Sequence, residues 1–395
     1  MRKPSLLIIF LTVFIDLIGF GIVMPLLPLY SKQFGASGLM VGMIMASFSL
    51  MQFLFAPVWG KWSDKIGRRP ILLVSNAGSA LSYALFAIAS SMAGDKGLLL
   101  LLCSRIFAGI CGANLSVASA YIADISPPEK RSKSMGLIGM SFGLGFILGP
   151  ALGAGAAHFF GRSGPGWVAA TICAANFLLG CFILVESRSP TAEPTPPRTK
   201  MGQWRHTFSQ PTVGFVVAVY FFATFCFSIF ETTFGLILQK KFHYSDQRVL
   251  LLLSYCGLLA AIIQGGLIGK VVKALGERRL ISLSLFVTGL SLLLLPYFSA
   301  LSALLITVGL FAIGSGFHRP PIFGLISILT PAAEQGSTLG VTQSAGSLAR
   351  IIAPVIGGLL FDLKPEMPYL MCAGICVAVG AISWGKLGDH RDVHN

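Results

Sequence analysis

The sequence predicts an all-α membrane protein with twelve transmembrane helices in two six-helix halves around a central cavity. Its composition is the first reason: 54% of the 395 residues are hydrophobic and 11% are charged, whereas a soluble domain carries about a quarter charged residues. The second reason is twelve apolar runs of about 20 residues or more, each long enough to cross a bilayer. The third is a charged turn that occurs twice, which indicates two related halves.

The twelve apolar runs predict the helices in chain order. Glycines and prolines in the first run predict a kinked helix that faces other protein, and Gln52 in the second must find a polar partner inside. The proline-rich segment 186–210 predicts a mostly irregular cytoplasmic linker. It separates an N-terminal domain, 1–185, from a C-terminal domain, 211–395. The runs are residues 5–29, 37–59, 70–93, 98–123, 134–158, 166–185, 212–238, 248–269, 279–298, 300–327, 338–361 and 368–386.

The distribution of positive charge predicts the orientation of the chain. The formal net charge is +14, which by itself would also fit a nucleic-acid-binding protein. With both termini in the cytoplasm, however, the inner segments hold 19 Lys and Arg residues and the outer segments hold seven. Such an excess on the inner side is the positive-inside bias of membrane proteins. We therefore expect a lipid bilayer and no nucleic acid as the partner of these charges.

The repeated turn is Gly60–Pro70, which reads Gly-Lys-Trp-Ser-Asp-Lys-Ile-Gly-Arg-Arg-Pro. We expect Gly60 to let the chain leave a helix, and Gly67 to adopt the positive φ of a tight reversal. Its one acid, Asp64, could lie at the N-terminus of another helix. The second copy, Gly269–Arg279, starts 209 residues later and has Lys where the first has Asp. A plain hairpin loop with basic residues is the simpler alternative.

Six ionisable residues lie well inside the predicted spans. Each would cost roughly 2.5–3.5 kcal/mol on insertion scales if it were unpaired, so we expect them to face one water-accessible cavity. Asp16 is the best candidate for a proton carrier, because intramembrane acids are usually functional; a structural hydrogen bond is the alternative. Glu231 could be a second proton site, a cation-binding group or the partner of an arginine. The six are Asp16, Arg105, Glu231, His318, Arg319 and Arg350.

Other function classes lack their motifs. The eight cysteines lie within or beside the spans without a Cys-x-x-Cys pair, which favours small packing residues over metal ligands. No phosphate loop of the form Gly-x-x-x-x-Gly-Lys-Ser/Thr is present, which excludes a built-in ATPase on motif grounds. We expect no metal and no cofactor. An intramembrane enzyme would need a histidine-rich metal set or a Ser/His pair, and neither lies at a plausible depth.

The repeated turn resembles the signature loop between helices 2 and 3 of the major facilitator superfamily. A second resemblance lies in the fifth predicted helix, whose glycines follow the antiporter motif of that superfamily; simple close packing is the alternative. The resemblance implies a cytoplasmic latch in which Arg68 pairs with Asp124 and Asp64 lies near Ser337. The latch residues are Gly60, Asp64, Gly67, Arg68, Arg69 and Asp124, and the antiporter-motif residues are Gly139, Gly143, Gly145, Gly149, Pro150 and Gly153.

Nearly the whole chain is similar to the bacterial tetracycline/proton antiporters, starting from residues 12–25. Three of that group's polar residues are replaced, by Ser82, Ala260 and Thr288, while Gln264 is kept, so the resemblance does not identify tetracycline as the substrate. Arg105 matches the arginine of the superfamily's fourth helix. The residues that we expect to line the substrate cavity are Gln52, Ser82, Arg105, Gln264, His318, Arg319 and Arg350.

These observations predict a monomeric transporter of the bacterial inner membrane. It would export a drug or small organic solute in exchange for protons by alternating access. A proton-coupled importer or uniporter on the same fold is one alternative. A transport-inactive receptor or regulator is another, against which the retained residues Asp16, Asp64 and Arg68 argue.

Overall fold

The structure is a computed structural model that describes residues 4–112, 114–187, 200–331 and 334–388. These residues form helices and contain no strand. A π-helix covers Ile263–Leu267 and a 3-10 helix covers Leu295–Tyr297. The α-helices are α1 Leu6–Val23, α2 Leu26–Gln33, α3 Gly38–Ile66, α4 Arg68–Ser91, α5 Gly94–Cys111, α6 Asn114–Ile125, α7 Pro128–Phe160, α8 Gly164–Ile183, α9 Lys200–Ser209, α10 Pro211–Phe242, α11 Asp246–Ile262, α12 Ile268–Leu294, α13 Leu301–Leu329, α14 Gln335–Leu363 and α15 Met367–Gly388.

The predicted all-α membrane fold is confirmed. Every predicted span overlaps helix, and eleven stretches of the described chain are long and apolar enough to cross a membrane. The predicted eighth span is not among them, because α11 has 17 residues and then changes into the π-helix. Several large apolar side chains are exposed, including Phe182 at 79% and Phe159 at 77%. Exposed apolar surface of this kind suits contact with lipid.

Two predicted spans are broken where glycine or proline makes a continuous helix costly. The first consists of α1 and α2, which meet at Met24 and Pro25, so the predicted kink is confirmed. The fourth consists of α5, which ends at Cys111, and α6, which begins at Asn114. Such breaks inside a membrane are tolerated where other protein groups bond the released backbone.

The predicted irregular linker is partly wrong, because Lys200–Ser209 forms α9. The stretch contains no proline, unlike the residues before it. Trp204 and Phe208 lie one helical turn apart with their ring centroids 5.7 Å from each other, and Trp204 packs against a buried apolar cluster. Helical spacing of two aromatic residues therefore decides the conformation here. Residues 188–199 of the predicted linker lie outside the described chain.

The chain divides into two compact units, Met1–Thr195 with Tyr244–Ser254, and Pro196–His243 with Tyr255–Asn395. In the first unit α1 packs on α7 and α8, and α4 packs on α5 and α8. In the second unit α10 packs on α14, and α12 packs on α13 and α15. Each unit has its own buried apolar cluster. The predicted domain boundaries and the predicted cavity between the halves stay predictions.

Glycines bring α7 into backbone contact with α1. A Cβ atom at Gly149 would lie 2.3 Å from the carbonyl carbon of Gly21, and one at Gly145 would lie 2.8 Å from the carbonyl oxygen of Leu17. Gly153 follows on the same face, where an added Cβ would lie 3.2 Å from the carbonyl oxygen of Ile22 in α1. Close packing therefore explains the i+4 spacing of these three glycines. Gly143 faces open space instead, and the surroundings of Gly139 lie outside the described part.

This contact makes Gly149 sensitive to the smallest substitution. We expect Gly149→Ala to lower the free energy of unfolding by about 1–3 kcal/mol, because the added methyl group overlaps the backbone of Gly21. Gly155 is a matched control in the same helix, since nothing lies within 4 Å of its missing side chain; Gly155→Ala should be neutral or slightly stabilising. Thermal unfolding of the purified protein in detergent measures both. Equal melting temperatures for the two variants would contradict the contact.

Candidate functional site

The repeated turn has the predicted reversal but a different helix end. Gly67 has φ 104° and separates α3 from α4, as predicted. In the second copy Gly276 has φ 72° inside α12, so both copies use a glycine in a conformation that other residues rarely adopt. The prediction for Gly60 is wrong, because α3 continues past it to Ile66. One glycine therefore suffices for the reversal, and Gly60 has open space around it.

Arg68 connects this turn to α6. Its Nε atom donates to Oδ2 of Asp124 at 3.2 Å, and its Nη1 atom lies 2.6 Å from Oδ1 of Asp64. The predicted contact between Arg68 and Asp124 is thus present, although its role in gating stays a prediction. The side chain of Ser337 lies outside the described part, so the predicted position of Asp64 beside it also stays a prediction. Arg69 donates through Nη2 to the carbonyl oxygen of Cys181 at 2.7 Å.

Glu186 completes this cluster, in a role that was not predicted from the sequence. Its carboxylate accepts the backbone N–H groups of Arg68 at 2.8 Å and of Arg69 at 3.1 Å. It therefore caps the N-terminus of α4, where the helix itself leaves N–H groups unbonded. The positive φ of Gly67 favours glycine at this position, and a Cβ there would also lie 2.3 Å from the carboxylate in its present position. The signal in the sequence is only an acid that follows directly on an apolar run.

We expect Glu186→Ala to destabilise the first unit by about 0.5–2 kcal/mol, the usual cost of losing a helix cap. Glu186→Gln is the matched variant, since its amide keeps one acceptor oxygen, and it should lie between the wild type and the alanine variant. The rate of hydrogen exchange at the backbone amides of Arg68 and Arg69 measures directly whether the carboxylate of Glu186 bonds them. Unchanged protection of these amides in Glu186→Ala would show that the carboxylate does not hold the helix start.

Asp16 lies in a buried group of side chains from α1, α4 and α8. The Sγ atom of Cys173 is 4.0 Å from Oδ1 of Asp16, and Tyr83 lies within electrostatic range of Asp16 and Arg105. Gly19 makes room for this arrangement, because a Cβ there would lie 2.9 Å from both Cys173 and Tyr83. The structure therefore brings Asp16 and Arg105 to the same tyrosine, which nothing in the sequence spacing indicates.

Arg105 is the largest fully buried side chain among the described residues, with 0% exposure. Its guanidinium carbon lies 5.5 Å from the ring centroid of Phe48 and 5.9 Å from that of Tyr83. None of its three side-chain nitrogens has a hydrogen-bond partner within the described chain. Contact with aromatic faces stabilises a buried cation but leaves its N–H donors unbonded.

The other predicted polar residues of the first unit bond to backbone. Gln52 donates through Nε2 to the carbonyl oxygen of Gly112 at 2.9 Å. It therefore bonds a backbone carbonyl group at the break between α5 and α6, and the predicted polar partner of Gln52 is this carbonyl group. Ser82 is fully buried and donates to the carbonyl oxygen of Ser79 at 2.8 Å. The hydroxyl group of Ser82 is thus bonded to its own helix.

The second unit holds a separate group of charges on α10, α13 and α14. Arg319 and Arg350 both interact electrostatically with Tyr220, and Arg350 also interacts with Glu231. This neighbourhood favours an arginine as the partner of Glu231 among the three predicted alternatives. Tyr220 was not predicted, since a tyrosine in an apolar run gives no signal of its own.

His318 and Gln264 differ in their surroundings. The ring of His318 is 6% exposed, and its Nδ1 atom lies 3.1 Å from the carbonyl oxygen of Gly314. Gln264 lies in the π-helix and is exposed. No group of three or more His, Cys, Asp or Glu residues in the described chain could hold a metal ion.

Comparison with known proteins agrees with this architecture. The family model described as Major Facilitator Superfamily matches residues 9–354 and again 265–394. The class E tetracycline resistance protein of Escherichia coli is 34% identical over 90% of this chain and 87% of its own length. Multidrug resistance protein 2 of Bacillus subtilis is 29% identical over 96% of this chain and 94% of its own length.

Solved structures show the same fold. The human organic anion transporter TETRAN superposes with a TM-score of 0.71, covering 97% of this chain and all of the other, at 24% identity. At this identity the likeness concerns the fold alone. The family match spans nearly the whole sequence, and the described helices and the repeated turn agree with it. The chain belongs to the Major Facilitator Superfamily.

Proposed function

We propose that this protein is a secondary active transporter that exports a drug or other small organic solute in exchange for protons. The observation that carries the proposal is the placement of Asp16. It is the one Asp or Glu in the first six predicted spans, and it lies beside Tyr83 and Cys173. A carboxyl group in that position can bind and release a proton. The relatives named for tetracycline and multidrug resistance support export of drug-like solutes.

The mechanism follows from linkage between two ligands. Proton and solute each bind one of two conformations more tightly, so binding of either shifts the population between an outward-open and an inward-open state. When the two compete for one state, inward flow of protons drives solute outwards. The excess of Lys and Arg in the inner segments supports cytoplasmic termini in a bacterial inner membrane. We further propose that the transporter works as a monomer and that Asp16 carries the proton.

Everted membrane vesicles that contain the protein test this proposal. Respiration acidifies the vesicle lumen, and a pH-sensitive dye inside reports it. Addition of tetracycline or ethidium should release protons from the lumen and raise its pH within seconds, while vesicles without the protein should not respond. A solute-dependent fall in luminal pH would indicate import coupled to protons moving the same way. No response to any solute, with the protein present and folded, would favour the receptor alternative.

A further inference from the structure

We propose that Arg105 binds a carboxylate group of the substrate, so that the solutes transported include organic acids with an aromatic or apolar body and one negative charge. The inference rests on the proposed transport function and deepens it, because it names the chemical class of the ligand. Its starting point is the buried guanidinium of α5, for which the described protein supplies ring faces and no acceptor.

A buried cation without acceptors is costly. Each N–H donor of Arg105 gave up water on folding, and leaving the donors of a charged group unbonded costs more than leaving those of a neutral polar group unbonded. The rings of Phe48 and Tyr83 offset part of this cost. They accept none of the five in-plane donors that a guanidinium carries. The side chain is therefore prepared for an acceptor that arrives from outside the described chain.

Among the described residues, the side chain that acts electrostatically on Arg105 carries no negative charge at neutral pH. The group that acts on it electrostatically is Tyr83, and a tyrosine is normally neutral at pH 7. Asp16 is the one acid of the first six predicted spans, and it too interacts electrostatically with Tyr83. Ser82 carries no charge and donates its hydroxyl hydrogen to the carbonyl oxygen of Ser79.

The geometry favours a carboxylate over a phosphate or sulfate. A guanidinium presents two parallel N–H groups that match the two oxygens of a carboxylate. One arginine also neutralises one negative charge, whereas a dianion would need a second cation. The aromatic rings beside it suit an apolar body. Phe48 lies 5.4 Å from Phe20, and Phe20 lies 6.0 Å from Phe146, measured between ring centroids.

Access to this site requires motion, since Arg105 has no exposed surface in this structure. Alternating access provides such motion, because the binding site is covered in some conformations and open in others. A ligand that bonds Arg105 would therefore favour an opened or occluded state over the one described here. The same opening would admit a neutral or cationic solute, which would gain nothing from Arg105.

Binding to the purified full chain in detergent tests the inference. The probes are nalidixic acid and pyrenebutyric acid, each compared with its methyl ester, which keeps the aromatic body and removes the charge. We expect each acid to bind at least about tenfold more tightly than its ester, as charge-assisted hydrogen bonds in buried sites do. Arg105→Gln should weaken binding of the acids at least about tenfold and change ester binding by less than about twofold. Arg105→Lys keeps the charge but not the two parallel N–H groups, so its affinity for the acids should lie between those of the wild type and Arg105→Gln.

Arg162 provides the matched control. Its guanidinium also lies over aromatic rings, 5.0 Å from the centroid of Tyr30 and 4.7 Å from that of Phe34, but it belongs to an outer segment. Arg162→Gln should leave the ratio of acid to ester affinity unchanged. Wild-type protein that binds acid and ester equally, or neither acid at all, would overturn the inference even if the Arg105 variants fail to fold. Proton-coupled export of ethidium in vesicles would survive that result, so the two proposals fail separately.

Discussion

Replacing Asp16 with asparagine is expected to abolish proton-driven accumulation of substrate. Asparagine keeps the size and the hydrogen-bonding capacity of aspartate but does not titrate. No other acid lies in the first six predicted spans, so nothing nearby can replace the lost carboxyl group. A gradient of about two pH units can drive about 100-fold accumulation at one proton per solute, and this should fall to the level of empty vesicles. Exchange of labelled for unlabelled solute, which needs no net proton movement, should continue.

Asp95 supplies the control for this prediction. It lies in the first turn of α5 and is exposed, so Asp95→Asn removes one carboxyl group without touching the buried group of side chains around Tyr83. We expect normal accumulation in that variant. If Asp16→Asn accumulated solute as the wild type does, Asp16 would be removed from the proton path, and Glu231 would be the remaining acid inside the predicted spans.

Charge reversal at the repeated turn is the second large effect that we expect. Arg68 is 12% exposed and Asp124 is 26% exposed at the side chain, so their contact is screened less than a surface pair. Arg68→Asp sets like charges against Asp124 and Asp64, and Asp124→Arg sets them against Arg68. If the contact stabilises one of the two transport conformations, each single reversal removes that stabilisation and shifts the population away from that conformation. A change of about 1.4 kcal/mol shifts such a population tenfold, so we expect the transport rate to fall by at least about tenfold.

The double reversal separates a specific pair from a general loss of charge. Combining Arg68→Asp with Asp124→Arg restores opposite charges across the contact. The aspartate introduced at position 68, however, repels Asp64, which pairs with the arginine in the wild type. We therefore expect partial recovery of the transport rate, not full recovery. Lys65→Glu, an exposed reversal nearby, should have little effect. A double variant no faster than either single variant would show that the turn acts only as a connection between α3 and α4.

Much of the fold could be predicted because membrane spans are long and apolar, so composition alone locates them. The turn at Gly67 could be predicted as well, since a glycine in a short charged segment indicates positive φ. The helix α9 was missed because the prolines before it dominated the segment. The extension of α3 past Gly60 was missed for a related reason: a glycine permits a helix end but does not require one.

The site was less predictable than the fold because its contacts join distant positions. Asp16, Tyr83 and Cys173 come from three helices, and only folding brings them together. Glu186 caps a helix that begins 118 residues earlier along the chain. Charge type and depth correctly pointed to Arg105 as buried and placed Asp16 and Glu231 inside helices, where both are half-buried. The partners of these side chains depend on helix packing, which the sequence does not show. The aromatic contacts of Arg105 are therefore visible only in the structure.

Transport by the purified protein in proteoliposomes tests the central claim most directly. An imposed pH gradient, without ATP, should drive ethidium or tetracycline against its concentration gradient towards the side from which protons leave. Collapse of the gradient with nigericin should release the accumulated solute, and Asp16→Asn should accumulate none. Accumulation that is unaffected by nigericin, or solute that moves only down its own gradient in the wild type, would contradict proton-coupled export.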